Sequence, residues 1–83
     1  MNGVKFTTKN PASVKIWWVE GGDDNRQMAV MKADGTVVAQ TNETLAKNAT
    51  CISTLELSET GTYFLGGLEN NNYIFKVEVT ETP

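Results

Sequence analysis

A chain of 83 residues with a net charge of −3 and a pI near 4.7 is long enough for one small domain. It lacks the basic character that binding to a phosphate backbone requires. Apolar residues make up 40% of the sequence, and no apolar run is long enough to span a bilayer. The composition therefore predicts a single globular module and argues against nucleic-acid binding and membrane insertion.

The residue types also argue against catalysis. The chain has no histidine, which is the commonest general base and metal ligand. Its single cysteine, Cys51, cannot form an internal disulfide and has no histidine to activate it, so we interpret it as a small buried hydrophobe. We therefore predict a non-enzymatic domain that is held together by packing alone or by contacts with neighbouring chains or domains.

We interpret both ends of the chain as points where a longer protein was cut. The segment 1–5 contains no apolar core of a signal peptide, and the segment 80–83 has a linker-like composition. We expect residues 1–83 to form one module excised from a longer secreted protein.

Seven strand-like segments follow one another, separated by Gly, Pro, Asn and Asp. The predicted strands are Val4–Thr8, Val14–Glu20, Gln27–Ala33, Thr36–Gln40, Cys51–Leu57, Thr62–Leu65 and Tyr73–Thr80. Asp34-Gly35 predicts a type I′ hairpin, because both central positions of that turn need a positive φ. Short strands at a spacing of roughly ten residues are typical of an all-β fold, an antiparallel β-sandwich of the jelly-roll or immunoglobulin-like kind.

Alternation along the predicted strands indicates which side chains face the core. Val14, Ile16 and Trp18 share one side of the second strand, which predicts that Trp18 is buried and Trp17 lies on the outer face. In the last strand the same reasoning turns four side chains towards the core, namely Tyr73, Phe75, Val77 and Val79.

Trp17 is the first candidate for ligand binding. An exposed indole on a flat sheet face can stack on the apolar side of a pyranose ring, and it loses little conformational entropy in doing so. The alternative, that Trp17 packs under a loop, stays open at this level.

Three cations form the second candidate group. Lys15, Lys32 and Arg26 lie on or beside the second and third strands, and they form a small basic strip if those two strands pair. Arg26 can grip the carboxylate of an acidic sugar through two hydrogen bonds, or it can pair with the nearby Asp23 and Asp24.

The loop before the last strand contributes three asparagines, Asn70, Asn71 and Asn72, whose amides can recognise hydroxyl groups. Asparagine also tolerates left-handed turn geometry, which is the more common reason for it in a loop. Glu20, Asp23 and Asp24 supply oxygen ligands of the kind that calcium prefers, but their spacing matches no calcium-loop template. We therefore predict no cofactor, with calcium as the weaker alternative.

The order of several segments resembles that of small β-sandwich modules attached to bacterial pectate lyases and other polysaccharide-degrading enzymes. The segments are Phe6-Thr-Thr-Lys, Val14-Lys-Ile-Trp-Trp, Arg26 before Asp34-Gly-Thr-Val-Val, Gly61-Thr-Tyr-Phe-Leu, and Tyr73-Ile-Phe-Lys-Val-Glu-Val. The resemblance implies a non-catalytic carbohydrate-binding module that targets a polysaccharide, such as pectin or another plant glycan, for an attached catalytic domain. It also implies a bacterial protein that is extracellular or at the cell surface.

A second hypothesis comes from a different class of function. A histidine-free β-sandwich also suits a structural or protein-interaction spacer domain of a cell-surface or secreted protein, in which assembly into oligomers hides Trp17. Oligomeric state and the accessibility of Trp17 to solvent distinguish the two hypotheses.

Overall fold

The structure of the chain is a computed structural model that describes residues 3–22, 26–42, 48–68 and 72–82. These residues form seven strands and no helix, so none of them belongs to a helix that could cross a membrane. The strands are β1 (Gly3–Thr8), β2 (Ala12–Val19), β3 (Met28–Lys32), β4 (Val37–Gln40), β5 (Thr50–Leu57), β6 (Gly61–Gly67) and β7 (Tyr73–Glu81). The prediction of an all-β fold with about seven short strands is confirmed.

The strands form two antiparallel sheets. One has four strands in the order β1-β6-β3-β4, and the other has three in the order β5-β2-β7. Among the described strands, β3 and β4 are the only consecutive pair that shares a ladder, and every other connection crosses between the sheets. An immunoglobulin-like sandwich keeps its first two strands in one sheet, whereas β1 and β2 lie in different sheets here. The topology therefore fits the jelly-roll alternative, in which successive strands alternate between sheets.

The core lies between the two sheets and is built from alternate positions of their strands. Val14, Ile16 and Trp18 on β2 are fully buried, as their alternation predicts. They pack against buried side chains of the other strands, namely Met28, Val30, Leu55, Leu57, Tyr63 and Leu65. The partly buried Cys51 packs against this cluster and has no disulfide partner, which agrees with its interpretation as a packing residue.

A β-bulge interrupts the pairing of β2 with β7. Trp17 is paired with Lys76, but the next residue, Trp18, is paired with Ile74, so Phe75 is an extra residue on β7. A bulge places two residues of one strand opposite one residue of its neighbour and shifts the alternation of side chains beyond it.

The bulge explains why the burial predicted for β7 is wrong in part. Tyr73 and Phe75 are 58% and 62% exposed, whereas Ile74 packs against the core. Val77, which lies beyond the bulge, packs against the core as predicted, and Val79 is 37% exposed at the sheet edge. A strict period of two therefore holds on each side of Phe75 but not across it.

The β3–β4 hairpin also departs from its predicted turn type. Within this turn Gly35 has a positive φ, of 91°, but Asp34 does not, whereas a type I′ turn requires a positive φ at both residues. The N–H of Gly35 donates to Lys32 O and the N–H of Lys32 donates to Thr36 O, both at 2.9 Å, which closes a three-residue loop with glycine in its last position. Hydrogen bonds from the side chain and the backbone N–H of Thr36 lower the pKa of the Asp34 carboxyl.

Candidate functional site

Trp17 lies on the outer face of β2, the central strand of the three-stranded sheet. Its neighbours in register are Ile52 on β5 and Lys76 on β7. The indole is partly buried, while Ile52 is 59% exposed. The position is set by alternation, because Trp18 fills the core and the preceding residue must point the other way.

Two ammonium groups lie against the indole of Trp17. Lys15 Nζ is 5.0 Å from the ring centroid and Lys76 Nζ is 4.7 Å from it, both within the range of a cation–π interaction. Lys76 Nζ also lies 3.5 Å from Glu78 Oε2, but both side chains are more than half exposed, so this ion pair is weak. Two lysines and one glutamate therefore meet on this face, because Glu78 is also paired in register with Lys15.

Further apolar side chains extend this surface along the same face. Tyr73 is paired with Val19, which lies on the same side of β2 as Trp17. We call the surface the Trp17 face and define it by six residues: Lys15, Trp17, Val19, Ile52, Tyr73 and Lys76. It combines flat aromatic area with two lysine ammonium groups, so it offers stacking for a ring and charge-assisted hydrogen bonds for an anion.

Sequence reasoning found Trp17 and Lys15 but missed Lys76 and Tyr73 as parts of this surface. Alternation does turn Lys76 outwards, but a single sequence does not say that β7 pairs with β2. For Tyr73 the sequence carries no visible signal, because the bulge at Phe75 reverses the face that simple alternation assigns to it.

The predicted basic strip of Lys15, Lys32 and Arg26 is not formed. It required β2 and β3 to pair, and these strands lie in different sheets. Lys32 ends β3 and lines a groove of about 350 Å³ on the four-stranded sheet, together with Lys5 and Phe64 among others. Lys15 and Lys32 therefore belong to separate surfaces.

Arg26 lies just before β3, where its guanidinium group packs against Gly22. A Cβ atom at position 22 would lie 2.7 Å from Arg26 Cζ, so the close approach depends on glycine at that position. The suggested partners Asp23 and Asp24 are outside the described residues. A role for Arg26 in ligand binding stays a prediction.

Asn72 is buried, with 1% of its surface exposed, and so does not offer its amide to a ligand. Its Oδ1 accepts a hydrogen bond of 2.8 Å from the N–H of Gly21, and its Nδ2 donates to Arg26 O at 3.3 Å. These bonds tie the start of β7 to the ends of the neighbouring segments, because an amide can satisfy backbone groups of both kinds. Asn70 and Asn71 are outside the described residues.

Glu20 is the one member of the suggested calcium group that the structure describes. It is fully buried, and its Oε1 accepts a hydrogen bond of 3.1 Å from the N–H of Gly22. Its Oε2 has no hydrogen-bond partner within the described ranges. Across those same ranges, no three or more His, Cys, Asp or Glu residues lie close enough together to hold a metal ion.

No protein-family model matches the chain, and none of the curated proteins matches its sequence. The resemblance to modules of polysaccharide-degrading enzymes therefore rests on the segments quoted above and stays a prediction.

Proposed function

We propose that this domain is a non-catalytic carbohydrate-binding module and that its ligand is an acidic polysaccharide, with polygalacturonate, the backbone of pectin, as the first candidate. The observation that carries the proposal is the placement of Trp17 on an outer sheet face with Lys15 and Lys76 within 5.0 Å of its ring centroid. An indole alone suits any sugar ring, whereas an indole between two ammonium groups suits a sugar that carries a carboxylate.

The contacts suggest how such a ligand binds. The apolar side of a sugar ring stacks on the indole of Trp17, and its carboxylate accepts charge-assisted hydrogen bonds from the neighbouring lysines. Both lysines already lie at the ring, so little reorganisation is needed, and the ion pair that Lys76 loses with Glu78 is a weak exposed one. Tyr73, more than half exposed on the same face, offers a second stacking surface for a neighbouring sugar of the chain.

A binding module of this kind acts by raising the local concentration of its attached enzyme on the polysaccharide. The resemblance to modules of bacterial polysaccharide-degrading enzymes supports this role and an extracellular or cell-surface location. In this proposal the partner within the parent protein is a catalytic domain, and the module itself carries out no chemistry.

Isothermal titration calorimetry with an oligogalacturonate and with a neutral galactan oligomer of equal length tests the proposal. Trp17→Ala is expected to weaken oligogalacturonate binding about tenfold, with the roughly 1–3 kcal/mol that stacking of one nucleobase on an aromatic side chain contributes as the guide. Lys15→Gln and Lys76→Gln are expected to weaken it as well, and affinity should fall with added salt. Lys32→Gln, an exposed lysine of the other sheet, is the matched control and should bind like the unmodified chain.

Three results would contradict the proposal. Unchanged binding in Trp17→Ala removes the indole from the site. Loss of binding in Lys32→Gln moves the site to the groove on the four-stranded sheet. Equal affinity for the neutral oligomer refutes the acidic ligand and leaves only a general sugar site.

A second candidate function, a structural or protein-interaction spacer, is favoured by a different observation. Exposed large apolar side chains occur on strands at the edges of both sheets: Val37 and Val38 on β4, Ile52 on β5, and Tyr73, Phe75 and Val79 on β7. A tight oligomer in which Trp17 is inaccessible to quenchers would support this function over glycan binding.

A further inference from the structure

The free edge of β7 is a second feature with the properties of an interaction surface, although two of its residues, Tyr73 and Lys76, also belong to the Trp17 face. β7 is nine residues long and ends the three-stranded sheet, with β2 on one side and no described strand on the other. Within the described residues, this sheet has one strand fewer than the four-stranded sheet. Long unpaired edges invite pairing with another chain.

Three large apolar side chains along this edge are exposed. Tyr73, Phe75 and Val79 are exposed by 58%, 62% and 37%. A groove of about 390 Å³ opens between this edge and the start of β1, and its lining includes Gly3 and Val4. On the opposite side of the sandwich, β4 and β5 contact each other. The β7 side is therefore the more open of the two.

We propose that two copies of the domain pair through their β7 edges, antiparallel, about a two-fold axis at Val77. In this register Lys76 lies opposite Glu78 of the second copy, and the symmetric pair repeats the contact. The exposed Phe75 and Val79 of each copy lie at the two ends of this paired segment. The two three-stranded sheets then form one continuous sheet, and the dimer is closed and symmetric.

Charge selects this register over its neighbours. Moving the two-fold axis by one residue places either Lys76 opposite Lys76 or Glu78 opposite Glu78, and like charges directly opposite each other are destabilising. An axis between two residues pairs outward-facing with inward-facing side chains, which the pleat forbids. The register centred on Val77 instead joins the Lys76–Glu78 pair within each copy, 3.5 Å apart, into an alternating group of four charges.

The pairing has a geometric consequence for Trp17. A two-fold axis perpendicular to the sheet keeps the outer faces of both copies on the same side, so neither indole is covered. The dimer differs in this respect from an oligomer that hides Trp17. The dimer can be tested separately from the sugar site, because the mass of the protein in solution is measured without any sugar.

Sedimentation equilibrium over a concentration series, up to about 1 mM because an edge contact is small, tests the proposal. The unmodified chain is expected to approach twice the monomer mass. Lys76→Glu and Glu78→Lys each replace two attractive contacts by two repulsive ones and should raise the dissociation constant about tenfold or more. The double variant K76E/E78K restores opposite charges and should dimerise again.

An equimolar mixture of the two single variants gives the sharpest readout. In a homodimer of either variant, residues 76 and 78 of the two copies carry like charges. In a heterodimer of Lys76→Glu with Glu78→Lys they carry opposite charges. The mixture should therefore form a heterodimer at concentrations where neither variant forms a homodimer. Circular dichroism of each variant confirms the fold. Lys32→Glu, at the end of β3, is the matched charge-reversal control.

A second measurement needs no variant. Hydrogen exchange of the unmodified chain should show that edge-facing amides of β7 gain protection as concentration rises, while amides of β4 do not. A chain that stays monomeric throughout, a mass that grows beyond the dimer, or a dimer indifferent to both charge reversals overturns the proposal.

Discussion

Trp17 and Trp18 are adjacent on one strand and have opposite surroundings. Trp18 is fully buried, and its Nε1 donates a hydrogen bond of 3.0 Å to Ser53 Oγ. Trp17 lies on the outer face of the sheet, where Lys15 and Lys76 flank its ring. The same side chain is thus part of the core at one position and lies partly exposed beside two lysines at the next.

The comparison teaches that the pleat, not the residue type, separates the two roles. The inner face of β2 is sealed by the four-stranded sheet, so every apolar group there is removed from water. The outer face has no covering layer among the described residues, so an apolar ring there contributes less to folding. Three predictions test this contrast between the faces, and a fourth concerns the β3–β4 turn.

The largest expected effect is that of Trp18→Ala. Truncating a fully buried tryptophan costs about 3–5 kcal/mol, which approaches the whole stability of a domain this small. Trp17→Ala is expected to cost only about 1 kcal/mol, since the indole is partly exposed and contributes strand propensity and weak cation–π contacts. Urea unfolding of both variants measures the difference, and equal losses would contradict the assignment of faces.

The next effect concerns hydroxyl groups on the two faces. Ser53→Ala leaves the buried Nε1 of Trp18 without its acceptor, which we expect to cost about 1–3 kcal/mol. Ser13→Ala is the matched control, because Ser13 Oγ donates to Glu56 Oε2 at 2.7 Å in an exposed pair and its loss should change stability by less than about 0.5 kcal/mol. If the two variants unfold at the same urea concentration, the buried bond is not the stabilising one.

Fluorescence quenching sharpens the contrast without unfolding the protein. Trp18→Phe leaves Trp17 as the only indole, and we expect iodide to quench it more strongly than caesium because the neighbouring lysines attract the anion. Trp17→Phe leaves the buried Trp18, which should emit at shorter wavelength and resist both ions. A Trp17 signal that is insensitive to the sign of the quencher would remove the two cations from its surroundings.

The smallest effect is expected at the β3–β4 turn, which belongs to the other sheet than the two indoles. Because hydrogen bonds from Thr36 lower the pKa of Asp34 in the folded state, the ionised carboxylate stabilises the turn above its unfolded pKa of about 3.9. This contribution is lost as the pH falls through the lower, folded pKa. Asp34→Asn should therefore be slightly less stable than the unmodified chain at pH 7, and the difference should shrink below about pH 4. A difference that grows in acid would contradict the sign.

Much of the fold is predictable from local signals. The strands, the burial of Trp18 and the outward position of Trp17 follow from β-branched runs, turn residues and alternation. Only part of the surface around Trp17 is predictable. Lys15 can be placed there because it lies on the same strand, two residues away, whereas Lys76 comes from a strand nearly sixty residues later. The basic strip of Lys15 and Lys32 requires β2 and β3 to pair, and here the chain crosses to the other sheet between them.

The sequence by itself determined where strands form and which side of β2 faces the core, because both depend on interactions within a few residues. Tertiary structure alone decided which strands meet, and with them the pairing of Trp17 with Lys76, the burial of Asn72 and the exposed edge of β7. It also introduced the bulge at Phe75, which turns Tyr73 outwards. These outcomes depend on how two sheets pack over a shared core, and no local pattern of residues encodes that choice.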